Sequence, residues 1–311
     1  LFAINHQNAF MDPIVLSCQL NQNAYYLARA DIFKNKLASK ILKSIYILPI
    51  FRQRDGVNTI VKNEATFNQC HEILDNNGYV LIFPEGNPNN QKKLRPIKKG
   101  IARIGLGAAE KNSFKKPYYI VPIGLDYSNH TKMGADLLIN IDKPINLQDY
   151  YSNFKTDANS TINKLMADVK TKMEDLIVNI QSENYSTYTN LIWILNNEIN
   201  STTLKSSLKN QQILVASIEK IEKTNTKVFE KLKDYSSFIC SFLELNNMRP
   251  VHLHKNNSYP LLFISITLLT ILFPIHIVGL LSNYMPYKIP ELIVKKKIKD
   301  EHFHSSIKMS L

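Results

Sequence analysis

The sequence predicts an α/β fold, with a mixed sheet flanked by helices over residues 1–150, a helical region over 151–255, and a C-terminal apolar segment over 256–311 that enters a membrane as a hairpin or a span. Three observations carry this reading. Up to about Tyr150, short apolar runs alternate with amphipathic segments, the pattern of strands layered with helices. From Tyr151 to about Lys233 the composition turns to Lys, Asn, Glu and spaced Leu and Ile without strand signals. Tyr259 to Leu281 carries no formal charge and is interrupted by Pro274.

Taken in order, Leu1–Ile4 reads as a buried strand, and further strands are expected at Ala24–Ala28, Tyr46–Phe51, Tyr79–Phe83, Tyr118–Leu125 and Leu137–Ile141. Between them, Leu37, Ile41, Leu42 and Ile45 share one helical face. A second helix over Thr59–Leu74 ends at Asn76-Asn77-Gly78, a C-cap signal, and a third runs from about Lys99 to Lys111. The Gly105 and Gly107 pair in that third helix suits close helix packing better than a phosphate loop. In the helical region the candidates are Asn159–Ser182, Tyr188–Asn200 and Gln212–Asp234.

About 20 apolar residues cross a bilayer, so Tyr259–Leu281 suits one kinked span or a re-entrant hairpin broken at Pro274; a buried helical hairpin of a soluble protein is the competing reading. Lys288, Lys295-Lys296-Lys297 and Lys299 would then lie near the headgroups, and the positive-inside tendency puts this flank on the cytoplasmic side. The chain opens at Leu1 directly on a strand pattern, so the natural N-terminus is expected upstream, and His302–Leu311 hints at truncation at the other end.

The charge of +12 favours phosphate-bearing partners: nucleic acid, anionic headgroups or small phosphorylated molecules. Three cysteines, Cys18, Cys70 and Cys240, are odd in number and far apart, which argues against a disulfide framework or a Cys-based zinc site and fits a reducing compartment. No metal is expected, because no pair among the eight histidines has zinc-site spacing with a third ligand.

Four blocks at apolar strand ends carry the chemistry. The first is Asn5-His6-Gln7-Asn8-Ala9-Phe10-Met11-Asp12-Pro13. A histidine released from a strand into a loop suits proton transfer, and an aspartate that folds back to it can fix the tautomer. The competing readings are an ordinary loop histidine and an Asp12 that caps a helix whose first residue is Pro13. The second block, Pro49-Ile50-Phe51-Arg52-Gln53-Arg54, ends in two arginines whose planar forks suit a phosphate, with Arg52 preferred to Arg54 by its spacing from Pro49. The third is Leu81-Ile82-Phe83-Pro84-Glu85-Gly86, where the glutamate can hold a hydroxyl and the glycine admits a close backbone approach. The fourth is Val121-Pro122-Ile123-Gly124-Leu125. Arg95 and Lys99 follow as secondary phosphate contacts or as members of a solvated basic loop.

These blocks, in this order, resemble those of the phosphate/glycerolipid acyltransferase family, over roughly Leu1 to Asp142. The resemblance implies a catalytic His6–Asp12 pair, acceptor-phosphate binding by Arg52, acceptor binding by Glu85 and Gly86, and an acyl pocket shaped by Val121, Pro122, Ile123 and Gly124. Most of the family has four residues between His and Asp; here there are five, as in the branch similar to fungal-type glycerol-3-phosphate or dihydroxyacetone-phosphate acyltransferases. Implied with it are an acyl-CoA or acyl-carrier-protein donor, a glycerol 3-phosphate or 1-acylglycerol 3-phosphate acceptor, membrane lipids as partners, no cofactor, no nucleic acid, and a membrane enzyme whose catalytic domain faces the cytoplasm. The chain has no Gly-x-Ser-x-Gly elbow, which separates it from serine hydrolases. The alternatives are an acyltransferase with another acceptor, or a non-enzymatic basic protein that binds membrane surfaces or nucleic acid. The lysines are dispersed rather than interleaved with aromatics on one face, which argues against the last.

Overall fold

The structure, a computed structural model, describes residues 1–9, 11–20, 22–52, 59–130, 135–195, 203–250 and 259–297. The chain divides into two compact units, Leu1–Asn179 and Ile180–Leu311.

The first unit is built on strands β1 (Phe2–Ile4), β2 (Ala24–Arg29), β3 (Ile47–Ile50), β4 (Tyr79–Ile82), β5 (Tyr119–Tyr127), β6 (Leu137–Ile141) and β7 (Ile145–Asn146). They form a mixed sheet in the order β3-β2-β4-β1-β5-β6, with β7 paired to β5. Strands β1 to β5 are mutually parallel, whereas β6 and β7 run antiparallel to β5. The parallel connections are made by α1 (Met11–Gln19), α2 (Lys36–Ser44), α3 (Thr59–Asp75) and α4 (Gly100–Lys111).

The period-2 alternation of each strand sorts its side chains between two cores. Ala3, Leu27, Leu48, Val80, Ile82 and Ile120 face a layer that includes Cys70 and Leu74 of α3, Ile101, Ile104 and Ala108 of α4, and Leu165, Val169 and Met173. Ile4, Tyr26, Leu81, Ile123, Leu125 and Tyr127 face the other side, where Leu16 of α1 is the buried helical contribution. Gly124 lies on the first face, and a Cβ there would sit 2.5 Å from the Leu176 Cβ and 2.6 Å from its carbonyl oxygen, so only glycine lets β5 and this backbone approach.

The strands fall where the apolar runs predict them, within a residue or two at each end. The helices after Tyr150 depart further. Leu165, Val169 and Met173 belong to α6 (Ala158–Asp175), shorter than the expected Asn159–Ser182 and preceded by an unforeseen helix, α5 (Gln148–Thr156). Asp157 separates the two with an extended backbone, and its side chain accepts from the Ser160 amide. Both helices bury residues in the sheet's helical layer, so the compact unit runs to Asn179 and not to 150.

The second unit contains α7 (Tyr185–Leu195), α8 (Leu204–Thr224), α9 (Thr226–Leu245) and α10 (Tyr259–Lys297). The single helix expected over Gln212–Asp234 is two helices. The chain breaks at Asn225, whose side chain caps α9 by accepting from the Val228 amide. The α7–α8 pairing is pinned by Glu222, which accepts from Ser182 Oγ, Asn184 Nδ2 and the Tyr188 hydroxyl. Residues 196–200, the end of the expected Tyr188–Asn200 helix, lie outside the described residues. Helix α10 continues through Pro274, and its stretch Phe263–Val294 is long and apolar enough to cross a membrane, with exposed side chains along it.

Candidate active site

The first three blocks meet at the carboxyl ends of the parallel strands, the end at which open α/β sheets bind ligands, and the fourth lies within β5 beside β1. His6 follows β1 by two residues, Arg52 follows β3 by two, and Glu85 follows β4 by three. The topology alone thus brings residues far apart in sequence to one edge of the sheet.

His6 is held on three sides. Its ring stacks on Phe83, with centroids 4.2 Å apart, on the same sheet face as Leu16 and Ile4. Its backbone N–H donates to Glu85 Oε1 at 2.7 Å, and its carbonyl accepts from the Asn89 amide at 2.9 Å. Its Nδ1 lies 2.8 Å from Asp12 Oδ2. An ionised carboxylate only accepts, so Nδ1 carries the proton and Nε2 presents a lone pair. Among the described residues Nε2 has no hydrogen-bond partner, and the side chain keeps 14% of its exposure.

Asp12 has none of its surface exposed and its carboxylate is saturated. Oδ2 accepts from the imidazole and from the Gln7 and Asn8 amides at 2.9 and 2.8 Å, while Oδ1 accepts from the Tyr127 hydroxyl at 2.7 Å. The capping alternative does not hold. Helix α1 begins at Met11, so Asp12 lies inside it and turns its oxygens back to the preceding loop. The extra residue between His6 and Asp12 is absorbed by a turn in which the Asp12 amide donates to the Asn8 carbonyl. Burial first, and then the Asp12 charge, raise the Tyr127 pKa far above its usual value, so the phenol remains a donor.

Polar neighbours fasten the loop. Asn5 exchanges two hydrogen bonds with the Leu125 backbone and so extends the β1–β5 ladder past Ile4 with a side chain. Asn8 Nδ2 donates to the His130 carbonyl, and His130 Nε2 lies 3.2 Å from Gln7 Oε1. Burial, with a smaller contribution from Lys92, lowers the His130 pKa to about 4 and keeps that ring neutral at physiological pH.

The remaining expected residues fare unevenly. Arg52 reaches the third block, donating from Nη1 to Asn87 Oδ1 at 2.9 Å, and the preceding Phe51 is fixed by a two-way bond with Asn63 of α3. Arg54 lies outside the described residues. Glu85 is buried, and its second oxygen accepts from the Arg95 amide and Nε, so much of its bonding capacity goes to holding the His6 loop. Gly86 closes a turn at φ +78, a left-handed conformation that glycine adopts at little cost. The lysine beside it is Lys98, whose Nζ would lie 2.7 Å from a Cβ on Gly86, whereas Lys99 is exposed at the start of α4. Within the fourth block Val121, Ile123 and Leu125 share the His6 face, whereas strand alternation turns Pro122 and Gly124 to the opposite face. Tyr127, Asn5, Asn63 and Lys98 were not singled out by sequence.

Residues 1–126 match the family described as Acyltransferase. Glycerol-3-phosphate O-acyltransferase 2 of Saccharomyces cerevisiae is 32% identical over 107 residues, 34% of this chain and 14% of that protein. Glycerol-3-phosphate O-acyltransferase 1 of the same yeast is 29% identical over 87 residues, 28% of this chain and 11% of that protein. The chain thus aligns with about a seventh or less of the length of these curated relatives.

The saturation of Asp12 sets a stability contrast. Asp12→Ala strands two buried amides and the Tyr127 hydroxyl, at about 1–3 kcal/mol per unsatisfied group, and should lower the unfolding free energy by about 3 kcal/mol or more. His6→Ala removes one partner of a saturated carboxylate and should cost within about 1 kcal/mol. Thermal unfolding of the two variants beside the parent checks both values.

Proposed function

We propose that the chain is an O-acyltransferase that moves a fatty-acyl group from acyl-CoA or acyl-carrier protein to a hydroxyl of glycerol 3-phosphate or 1-acylglycerol 3-phosphate, a step of phospholipid synthesis. The observation that carries it is the His6 ring, tied at Nδ1 to a buried carboxylate and open at Nε2. Nε2 takes the acceptor's hydroxyl proton while the oxygen attacks the thioester carbonyl, and Asp12 stabilises the imidazolium that forms. Collapse of the tetrahedral adduct breaks the C–S bond, and the imidazolium returns its proton to the departing thiolate. The thioester supplies the activation, so no cofactor and no acyl-enzyme are required. Glycerol 3-phosphate is the preferred acceptor, in keeping with the names of the yeast relatives.

The acceptor's phosphate is assigned to Arg52, with Lys98 and Arg95 as further cations beside the Glu85-Gly86 turn and Arg54 as second choice. Among the described residues Arg95 Nη2 is buried without a hydrogen-bond partner, which leaves it a donor to offer. Val121, with partly buried Phe2, Tyr79 and Ile139 beside it and Ile123 in the core beneath, offers apolar surface to the acyl chain. The protein acts at a membrane, to which α10 is the attachment, with the catalytic unit on the cytoplasmic side where both donors are found.

The continuity of α10 bears on that topology. A helix of 39 residues is about 58 Å long at 1.5 Å per residue, well beyond the roughly 30 Å hydrocarbon core. One straight crossing puts the catalytic unit and Lys295-Lys296-Lys297 on opposite sides, whereas the positive-inside tendency keeps those lysines with the cytoplasm. A bend back at Pro274, which lacks an amide hydrogen, would depart from the continuous helix of the structure and would reconcile the two.

Acyl transfer from acyl-CoA to a panel of acceptors, read by mass, tests the activity. His6→Ala should lower kcat by about a thousandfold, within the range of general-base contributions, and near-normal turnover would remove the base assignment. Arg52→Ala should raise the acceptor KM about tenfold or more with little change in the donor KM, and equal changes would remove the phosphate assignment. On sealed, cytoplasmic-side-out vesicles, a C-terminal tag should be cleaved by added protease together with the catalytic unit. A protected tag would replace the bend by a straight crossing.

A further inference from the structure

Helix α9 has two apolar faces. Phe229, Ser236, Cys240 and Leu243 are buried on one of them, towards α7 and α8. The other is formed by Lys227, Lys231, Tyr235, Phe238, Phe242 and Leu245, whose i+4 and i+3 spacing aligns them in one stripe along the helix. All six are exposed, with Tyr235 at 64%, Phe238 at 69% and Leu245 at 83%. Glu230 and Glu244 lie off this stripe and Asp234 borders it between Lys231 and Phe238, so it is basic at its start and aromatic or aliphatic beyond.

We propose that this stripe lies in the headgroup region of an anionic membrane. A second copy fits poorly. Parallel pairing sets Lys227 and Lys231 against their own kind, and antiparallel pairing buries them on Phe242 and Leu245, where an unpaired ammonium is costly. A bilayer surface matches every part at once, with lysines towards lipid phosphates, tyrosine and phenylalanine rings at the interface, and leucine towards the acyl chains. Residues 246–258 connect the stripe to α10, and a chain of that length keeps the end of α9 within about 50 Å of the start of α10. The proposal rests on the membrane attachment put forward above and not on acyl transfer.

The test uses the full chain in a Trp193→Phe background, with either Phe238→Trp or Ser237→Trp, mixed with vesicles of phosphatidylcholine and phosphatidylglycerol carrying brominated acyl chains. Ser237 is exposed but about 100° around the helix from Phe238. Phe238→Trp emission should be quenched at least about twofold more than that of Ser237→Trp, as expected of a helix lying in the interface plane. Adding Lys227→Glu and Lys231→Glu should reduce the difference. If the chain floats with the vesicles but the two positions quench alike, or Phe238→Trp is unquenched in a dimer, the α9 proposal is overturned while the attachment through α10 stands. A chain that does not float overturns both.

Discussion

Everything at the candidate site depends on how the buried carboxyl group of Asp12 has its hydrogen-bonding capacity filled by the protein. A buried carboxylate is costly unless its lone pairs are filled, and here an imidazole, two peptide N–H groups and a phenol fill them. Those four bonds tie together the loop after β1, the first turn of α1 and the end of β5. The aspartate is therefore as much the joint of the catalytic corner as a partner of the histidine. The same bonds fix the charge at one place, so a proton arriving on His6 meets an electrostatic environment that needs no rearrangement.

Glu85 complements it by acting on the backbone. Asp12 orients the ring, while Glu85 and the Asn89 amide hold the N–H and carbonyl of the same residue. Arg95 in turn anchors the other Glu85 oxygen with two donors. His6 is thus fixed at ring and backbone by separate elements, and Nε2 is the part of it left to react. The third block reads in sequence as an acceptor-binding motif, but in space Glu85 spends its hydrogen bonds on holding the His6 loop.

Legibility followed burial. The strands announced themselves as apolar runs because each is covered on at least one face, and their ends carried His6, Arg52 and Glu85, which the fold gathers at one edge. Tyr127 escaped because β5 was expected to stop at Leu125; two residues more, by strand alternation, would have pointed a phenol to the Ile123 face. Asn63 escaped because an asparagine in a helix gives no sign that it will copy a strand's hydrogen bonds to Phe51. The break at Asn225 was present in Thr224-Asn225-Thr226, but the Leu and Ile spacing runs on across it in nearly the helical period. Helix α5 was hidden because its buried positions, Tyr150 and Tyr151, look polar enough for a loop.

The two faces of the sheet are unequally covered, and this asymmetry relates the fold to the proposed chemistry. On one face α3, α4, α5 and α6 all contribute buried side chains to one continuous core. On the face carrying His6, α1 supplies Leu16 to the core, and Phe2, Tyr79, Val121 and Ile139 stay partly exposed around it. Sheets parallel over five strands are normally covered on both sides, so apolar side chains left half open beside His6 are the surface on which the proposed acyl chain would lie. A fatty-acyl chain laid along that face would bury them at roughly 25 cal/mol per Å². It would also bring its thioester to the strand ends that carry His6, Arg52 and the Gly86 turn.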